Sequence, residues 1–169
     1  MSETPPLQLR PTILTAASFA EFGDVIETEG RPWRWINAGT CQRFDDLAEV
    51  DVLEAGGRGA ISVFQAQPRR LPMSVTLLER HPLSSQSFYP LDARRYLALV
   101  ARAGDAPWSQ RLVAFLCSGQ QGVSYRRNTW HHALIALDQV SRFLVLDRIG
   151  PGENCEELAI GQGVILLAP

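Results

Sequence analysis

The chain has 169 residues, with 16 basic and 18 acidic side chains apart from histidine and a net charge of −2. That length suits a single domain over 1–169 with a core that needs no disulfide or metal staple. No basic field is present to attract nucleic acid or anionic lipid, and no apolar stretch reaches the length of a membrane span. All sixteen of the basic residues are arginine. This excludes Schiff-base and general-base chemistry on lysine and leaves a side chain suited to bidentate binding of carboxylates. Cys41, Cys117 and Cys155 form an odd set without a CxxC spacing. They read as reduced thiols of a cytoplasmic protein.

In chain order, MSETPPLQLRP lacks a basic region followed by an apolar run, so no signal peptide is expected. Pro5 and Pro6 suggest a short loose terminus. The best helix candidate runs from Thr15 as N-cap to Gly23 as stop. DVIET (24–28) then reads as a strand, and RFDDLAEVDVLEA (43–55) as a second, weaker helix. AISVFQA (60–66), SVTLLERH (74–81), RYLALVAR (95–102), RLVAFLC (111–117) and SRFLVLD (141–147) are rich in β-branched and apolar residues. Turn clusters AGGRG, HPLSS, AGDAP, SGQQG and IGPGEN separate them. Pro68, Pro72, Pro82, Pro90 and Pro107 fall between the runs, as a sheet requires. Short strands at this spacing predict a sandwich or a barrel.

All three histidines lie in two stretches. In SVTLLERHPLSSQSFYPL (74–91), strand alternation predicts that Val75, Leu77, Glu79 and His81 share one face while Arg80 takes the other. That face passes from apolar to ionisable as it nears Pro82, and Gln86 follows five positions after His81. In QGVSYRRNTWHHAL (121–134), a strand turns at Asn128, which tolerates left-handed backbone, and re-enters a strand at Trp130. Adjacent strand residues face opposite sides, so at most one of His131 and His132 joins Glu79 and His81 unless the strand bulges.

On these residues the chain resembles the cupin superfamily and, more closely, the ureidoglycolate lyase family. The segments that carry the resemblance are FGDVI (22–26), INAGTCQRFDDLA (36–48), ISVFQAQPRRLP (61–72), LLERHPLSSQSFYPL (77–91), QGVSYRRNTWHHAL (121–134) and FLVLDRIGPGENCEE (143–157). Two positions depart from it: the family usually carries glycine at Asn128 and proline at Ala133. The resemblance implies a mainly β fold, a cupin-type double-stranded β-helix or jelly-roll barrel with a few short helices. Its ligand pattern maps onto Glu79, His81, Gln86 and His131, which selects His131 over His132. One carboxylate, two imidazoles and an amide suit nickel, manganese or zinc better than calcium or magnesium. No organic cofactor is implied, and a homodimer is.

The implied reaction is cleavage of (S)-ureidoglycolate to glyoxylate and urea in allantoin and purine degradation. Elimination needs a base for the hydroxyl proton, an acid for the departing urea nitrogen and a cation for the carboxylate. His131 or Glu79 is the expected base, and His81 orients the substrate or holds the metal. Arg43 or Arg80 is the expected carboxylate clamp, with Arg43 equally suited to a surface or dimer salt bridge. Asn37 and Gln86 are expected to donate hydrogen bonds to the ureido carbonyl. Tyr125, Trp130 and His132 are expected to brace the site. Two other readings stay open at this point: an amidohydrolase releasing ammonia and carbon dioxide, and a non-catalytic small-acid-binding cupin.

Overall fold

The computed structural model describes residues 6–105 and 108–169, with side chains for all of these except 162 and 163. Pro5 and Pro107, both placed by sequence in loops, lie outside the described residues. Two short strands, β1 (Gln8–Leu9) and β2 (Thr12–Ile13), lead into a one-turn helix, α1 (Ala16–Phe19). Strands β3 (Gly23–Ile26), β4 (Arg34–Ile36), β5 (Cys41–Arg43), β6 (Arg58–Ala66), β7 (Met73–Arg80), β8 (Gln86–Pro90) and β9 (Tyr96–Ala101) follow. A second one-turn helix, α2 (Trp108–Arg111), precedes β10 (Leu112–Cys117), β11 (Gly122–Tyr125), β12 (Ile135–Ala136), β13 (Ser141–Ile149) and β14 (Glu156–Leu166).

The strands form a five-stranded sheet in the order β3-β11-β8-β13-β6, a four-stranded sheet β12-β9-β10-β2, a three-stranded sheet β1-β14-β7, and the hairpin β4-β5. The fold is mainly β and of cupin type, with its sheets open rather than closed into one barrel. Between the five- and four-stranded sheets sits an aromatic core of Phe19, Phe22, Phe88, Phe115, Tyr125 and Phe143. Burial of each such side chain is worth about 1.5–3 kcal/mol. A second cluster, with Val75, Leu78, Leu97, Leu99, Val164 and Leu166, packs on the other face of β9. All six residues of β9 are buried, which explains its unbroken apolar run YLALVA.

Thr15 caps α1 as expected, with Ser18 completing a reciprocal capping box. The helix ends at Phe19, well before Gly23. That glycine opens β3, where a Cβ would stand 1.8 Å from Ser124 O, so it permits strand contact rather than stopping a helix. Residues 43–55 do not form an α-helix, and only a 3-10 turn, Glu54–Gly56, lies at their end. Asp46 is left-handed (φ 52°), and the segment is pinned by neighbours: Glu49 N–H donates to Asp24, Asp51 N–H to Ser85 Oγ, and Ser85 N–H to Asp51 O. Aspartate and valine are weak helix formers, so these outside contacts win.

Two readings of strand interiors also need correction. Pro90 is the last residue of β8, opposite Phe143, where a missing N–H interrupts little of the ladder. Along β7 the buried face changes partway: Val75 and Leu78 are buried while Leu77 is 43% exposed. The change lies opposite an irregularity in β14 between Ala159 and Val164. Beyond Val75 that face is no longer covered at Leu77, while Glu79 and His81 still converge.

Candidate active site

His131 closes a seam between two sheets. Glu79 N–H donates to His131 O at 2.7 Å, and His131 N–H donates to Glu79 O at 2.9 Å. On its other edge His131 bridges Val100 of β9, flanked by bonds from Ala101 N–H to Trp130 O and from His132 N–H to Leu99 O, each 2.9 Å. The chain thus re-enters the sheet through one bridging residue after the Asn128 turn (φ 65°), not through a strand from Trp130. Directly paired residues project to the same side. The His131 ring therefore meets the Glu79 carboxylate, with Nε2 3.4 Å from Oε1. That polar contact holds the Glu79 carboxyl below its ordinary range, outweighing the opposing effect of burial.

Both catalytic-type imidazoles are anchored at Nδ1. His131 Nδ1 lies 2.8 Å from Thr129 O, and His81 Nδ1 lies 2.6 Å from Asn154 O. A carbonyl only accepts, so each Nδ1 carries the hydrogen and each Nε2 is turned into the site. The Asn154 side chain also accepts from Leu83 N–H and donates to Ser84 Oγ, which ties down the turn after His81. His81 Nε2 lies 3.0 Å from Gln86 Oε1. Rotating that amide by 180° would exchange an acceptor for a donor, so Gln86 matches either protonation state of His81.

The five-stranded sheet supplies the floor. Tyr125 stacks on His131, with ring centroids 4.3 Å apart and an interplanar angle of 17°. Tyr125 pairs in register with Gln86, and Asp147 follows Leu146, which pairs with Ser87 next to Gln86. Burial raises the Asp147 carboxyl above its ordinary range, with Gln86 and His81 pulling the other way. Sequence reasoning did not single out Asp147. Alternation through Phe143, Val145 and Asp147 carried the signal, since the first two are core residues.

The remaining candidates lie elsewhere. Arg80 turns to the opposite face, bonded to Glu156 at 2.6 Å and lying over the Trp130 ring. Asn37 and Arg43 belong to the exposed β4-β5 hairpin, where Arg43 pairs with Asp45 at 2.5 Å. The chain beyond that hairpin crosses the outer face of the five-stranded sheet against Tyr89 and Leu144, away from Glu79. Neither arginine is brought to the cluster. His132 is half-buried, with Nδ1 2.7 Å from Ala133 O, and burial lowers its pKa. Cys155 is brought in unexpectedly, with its sulfur within 4.8 Å of carboxylate oxygens of Glu79 and Glu157. Burial and these two acids raise its thiol pKa.

A cleft of about 450 Å3 opens on Glu79 and Gln86 between Phe64, Phe88, Ala133 and Leu134. Glu79, His81 and His131 each offer a ligand atom, all within 4.8 Å of one another. His131 Nε2 is buried and has no hydrogen-bond partner among the described residues. With its proton on Nδ1, a neutral His131 would aim a lone pair at the Glu79 oxygen. A cation or a second ring proton relieves that repulsion, so the donor set fits a divalent metal of borderline softness.

A family model described as Ureidoglycolate lyase matches residues 6–167. A ureidoglycolate lyase of Burkholderia mallei is 55% identical over 144 residues, covering 85% of this chain and 84% of that protein. One from Burkholderia cepacia is 51% identical over 162 residues, with 95% and 89% covered. One from Azotobacter vinelandii is 45% identical over 154 residues, with 91% and 93% covered.

Proposed function

This chain belongs to the ureidoglycolate lyase family, and from that premise we propose that the Glu79–His81–His131 cleft cleaves (S)-ureidoglycolate to glyoxylate and urea in purine and allantoin degradation. The observation that carries the assignment to this cleft is the convergence of two Nδ1-anchored imidazoles on the Glu79 carboxylate that lines it. We read residues 1–169 as one unit devoted to this reaction.

Glu79 accepts the carbinol hydroxyl proton as the carbonyl of glyoxylate forms. Its lowered pKa keeps it ionised at neutral pH, and His131 stabilises its position. The carbon–nitrogen bond breaks as its electron pair moves to nitrogen. His81, held at Nδ1 by Asn154, delivers a proton from Nε2 to that nitrogen and urea departs. Gln86 follows the change by reversing its amide. The substrate carboxylate finds no arginine among the residues described for this cleft. Its positive counterpart is the imidazole pair, or a nickel, manganese or zinc ion held by Glu79, His81 and His131 with Gln86 beside them. Such an ion would supply Lewis acidity and charge for the carboxylate, but it would take up His81 Nε2 and the Glu79 oxygen, so it stands as an alternative to the proton roles given above. Ala133 lines the cleft where the family usually carries proline, so this departure bears on how the substrate is gripped.

Three unpaired thiols support a reducing compartment, the cytoplasm. No helix among the described residues is long and apolar enough to cross a membrane. A second copy of the chain is the proposed partner. Ile61, Val63 and Leu144 form an exposed apolar patch beside the open edge of β6, a surface of the kind that subunits cover.

The deciding experiment is a urea-release assay on purified protein with and without chelator. Urea formed with glyoxylate supports elimination, whereas ammonia with carbon dioxide would mean hydrolysis. Loss of activity on chelation, restored by nickel, manganese or zinc, supports the metal. Decay of the substrate only at its spontaneous rate under every condition would end the enzyme reading.

A further inference from the structure

A second cleft, of about 370 Å3, lies behind the catalytic cluster and shares no described lining residue with the first. It arises from alternation along two short segments. Glu79 and His131 serve the catalytic side, while their neighbours Arg80 and Trp130 line the cleft behind. Among the described lining residues, Arg80, Arg111, Arg126 and Arg127 bring guanidiniums to this cleft and Glu21 alone brings a carboxylate.

Their states differ. Arg127 is neutralised by Asp51 at 2.7 Å and Glu54 at 2.9 Å, and Arg80 by Glu156 at 2.6 Å. Arg111 donates to Arg102 O at 2.6 Å and lies over the Trp108 ring, 4.0 Å from its centroid. Arg111 meets no carboxylate among the described residues. Arg126 donates to Ala20 O at 2.7 Å and approaches Asp24 only to 3.7 Å. Glu21 faces Arg102 at 3.4 Å. Arg111 is thus held in place by a carbonyl and an aromatic ring with no described carboxylate against it, and Arg126, held by a carbonyl, is only partly offset by Asp24. Phe22 and Trp130 supply apolar wall beside these side chains, and the half-exposed Arg126 guanidinium stays open to an incoming anion. Guanidinium forks match the paired oxygens of carboxylates and phosphates.

We propose that this cleft is a separate binding site for a small multivalent oxyanion, a phosphate or a dicarboxylate, held chiefly by Arg111 and Arg126. The site does not depend on the lyase assignment, because its ligand is recognised on the face opposite Glu79.

Isothermal titration of the full chain at low ionic strength, with inorganic phosphate and separately with succinate, tests it. Saturable binding of one anion per chain is expected, and the stronger of the two probes identifies the tetrahedral or the dicarboxylate class. Arg111→Gln/Arg126→Gln should weaken binding at least about tenfold. Arg10→Gln/Arg58→Gln, which removes equal charge at exposed positions outside the cleft, should change it by less than about twofold. If the first double variant fails to fold, Arg111→Gln alone carries the comparison. Binding is overturned as proposed if neither anion saturates, or if both double variants lose affinity equally. It is also overturned if His81→Ala abolishes binding while the arginine variants do not, since the anion would then occupy the catalytic cleft.

Discussion

Replacing Glu79 by glutamine isolates the charge from the shape of the site. The backbone bonds between residues 79 and 131, at 2.7 and 2.9 Å, are untouched, so the seam between β7 and β9 persists. What disappears is a carboxylate 3.4 Å from His131 Nε2. A positioned general base is worth about 10²–10⁴ in rate, or about 3–5 kcal/mol of transition-state stabilisation. The loss should fall on kcat with little change in KM, because the proton moves only in the transition state. The Glu79 side chain is 24% exposed, and its polar contact with His131 should be worth about 1 kcal/mol of folding stability. For a chain of this size that corresponds to a fall in Tm of about 2–4 °C. Urea release, corrected for spontaneous decay, gives the rate, and circular dichroism gives the melting curve. A kcat within about threefold of the parent would remove Glu79 from the role of base. A Tm fall beyond about 10 °C would attribute lost activity to unfolding instead.

Three further outcomes follow from other parts of the molecule. Cys117 is buried and its thiol is pushed up to about 12, whereas Cys41 and Cys155 are exposed. A thiol reagent at neutral pH should therefore label the latter two in the native protein, with Cys155 slowed by its raised thiol pKa, and reach Cys117 only after denaturation. Arg142 holds Asp92 down to about 2 from an ordinary 3.8, through a 2.6 Å side-chain contact and a 2.8 Å backbone bond. Because the folded value is depressed, this contribution is complete above the unfolded value and fades as pH falls from about 4 through about 2. Arg142→Ala should flatten that acid limb in urea-denaturation midpoints, leaving a weaker backbone contribution. Gly23→Ala would drive a methyl to 1.8 Å from Ser124 O. It should cost more than about 3 kcal/mol by forcing β3 from β11, measurable by denaturant titration.

The sequence made the central strands legible because their cores repeat: YLALVA and LVAFLC survive as β9 and β10 almost residue for residue. It also brought out Glu79, His81 and Gln86, since two strands and the turn between them hold all three. It did not reveal β14, the longest strand, because glycines interrupt its apolar pattern and an irregularity breaks its register. Cys155 and Glu157 reach Glu79 only through that strand, so their approach had no local trace. The clamp assigned to Arg43 failed to meet the cluster for a related reason. Spacing along the chain does not tell which face of a sheet a hairpin will cover, and the 44–50 segment carries this one across the outside. Arg80 was readable as outward-facing by alternation alone, but its partners, Trp130 and Glu156, lie on segments far from it in sequence.

His131 performs two tasks at one address. Its amide and carbonyl close the gap between β7 and β9, and its ring points at the carboxylate proposed to take the proton. Any fluctuation that parts the seam also spoils the aim of the ring. The fraction of time the seam stands open is therefore dead time for the catalyst, even while the rest of the fold is intact. The exchange rate of one backbone amide, that of His131, then becomes a clock for catalytic readiness. Heating should stretch the dead time before global melting, so activity would decline ahead of the melting curve.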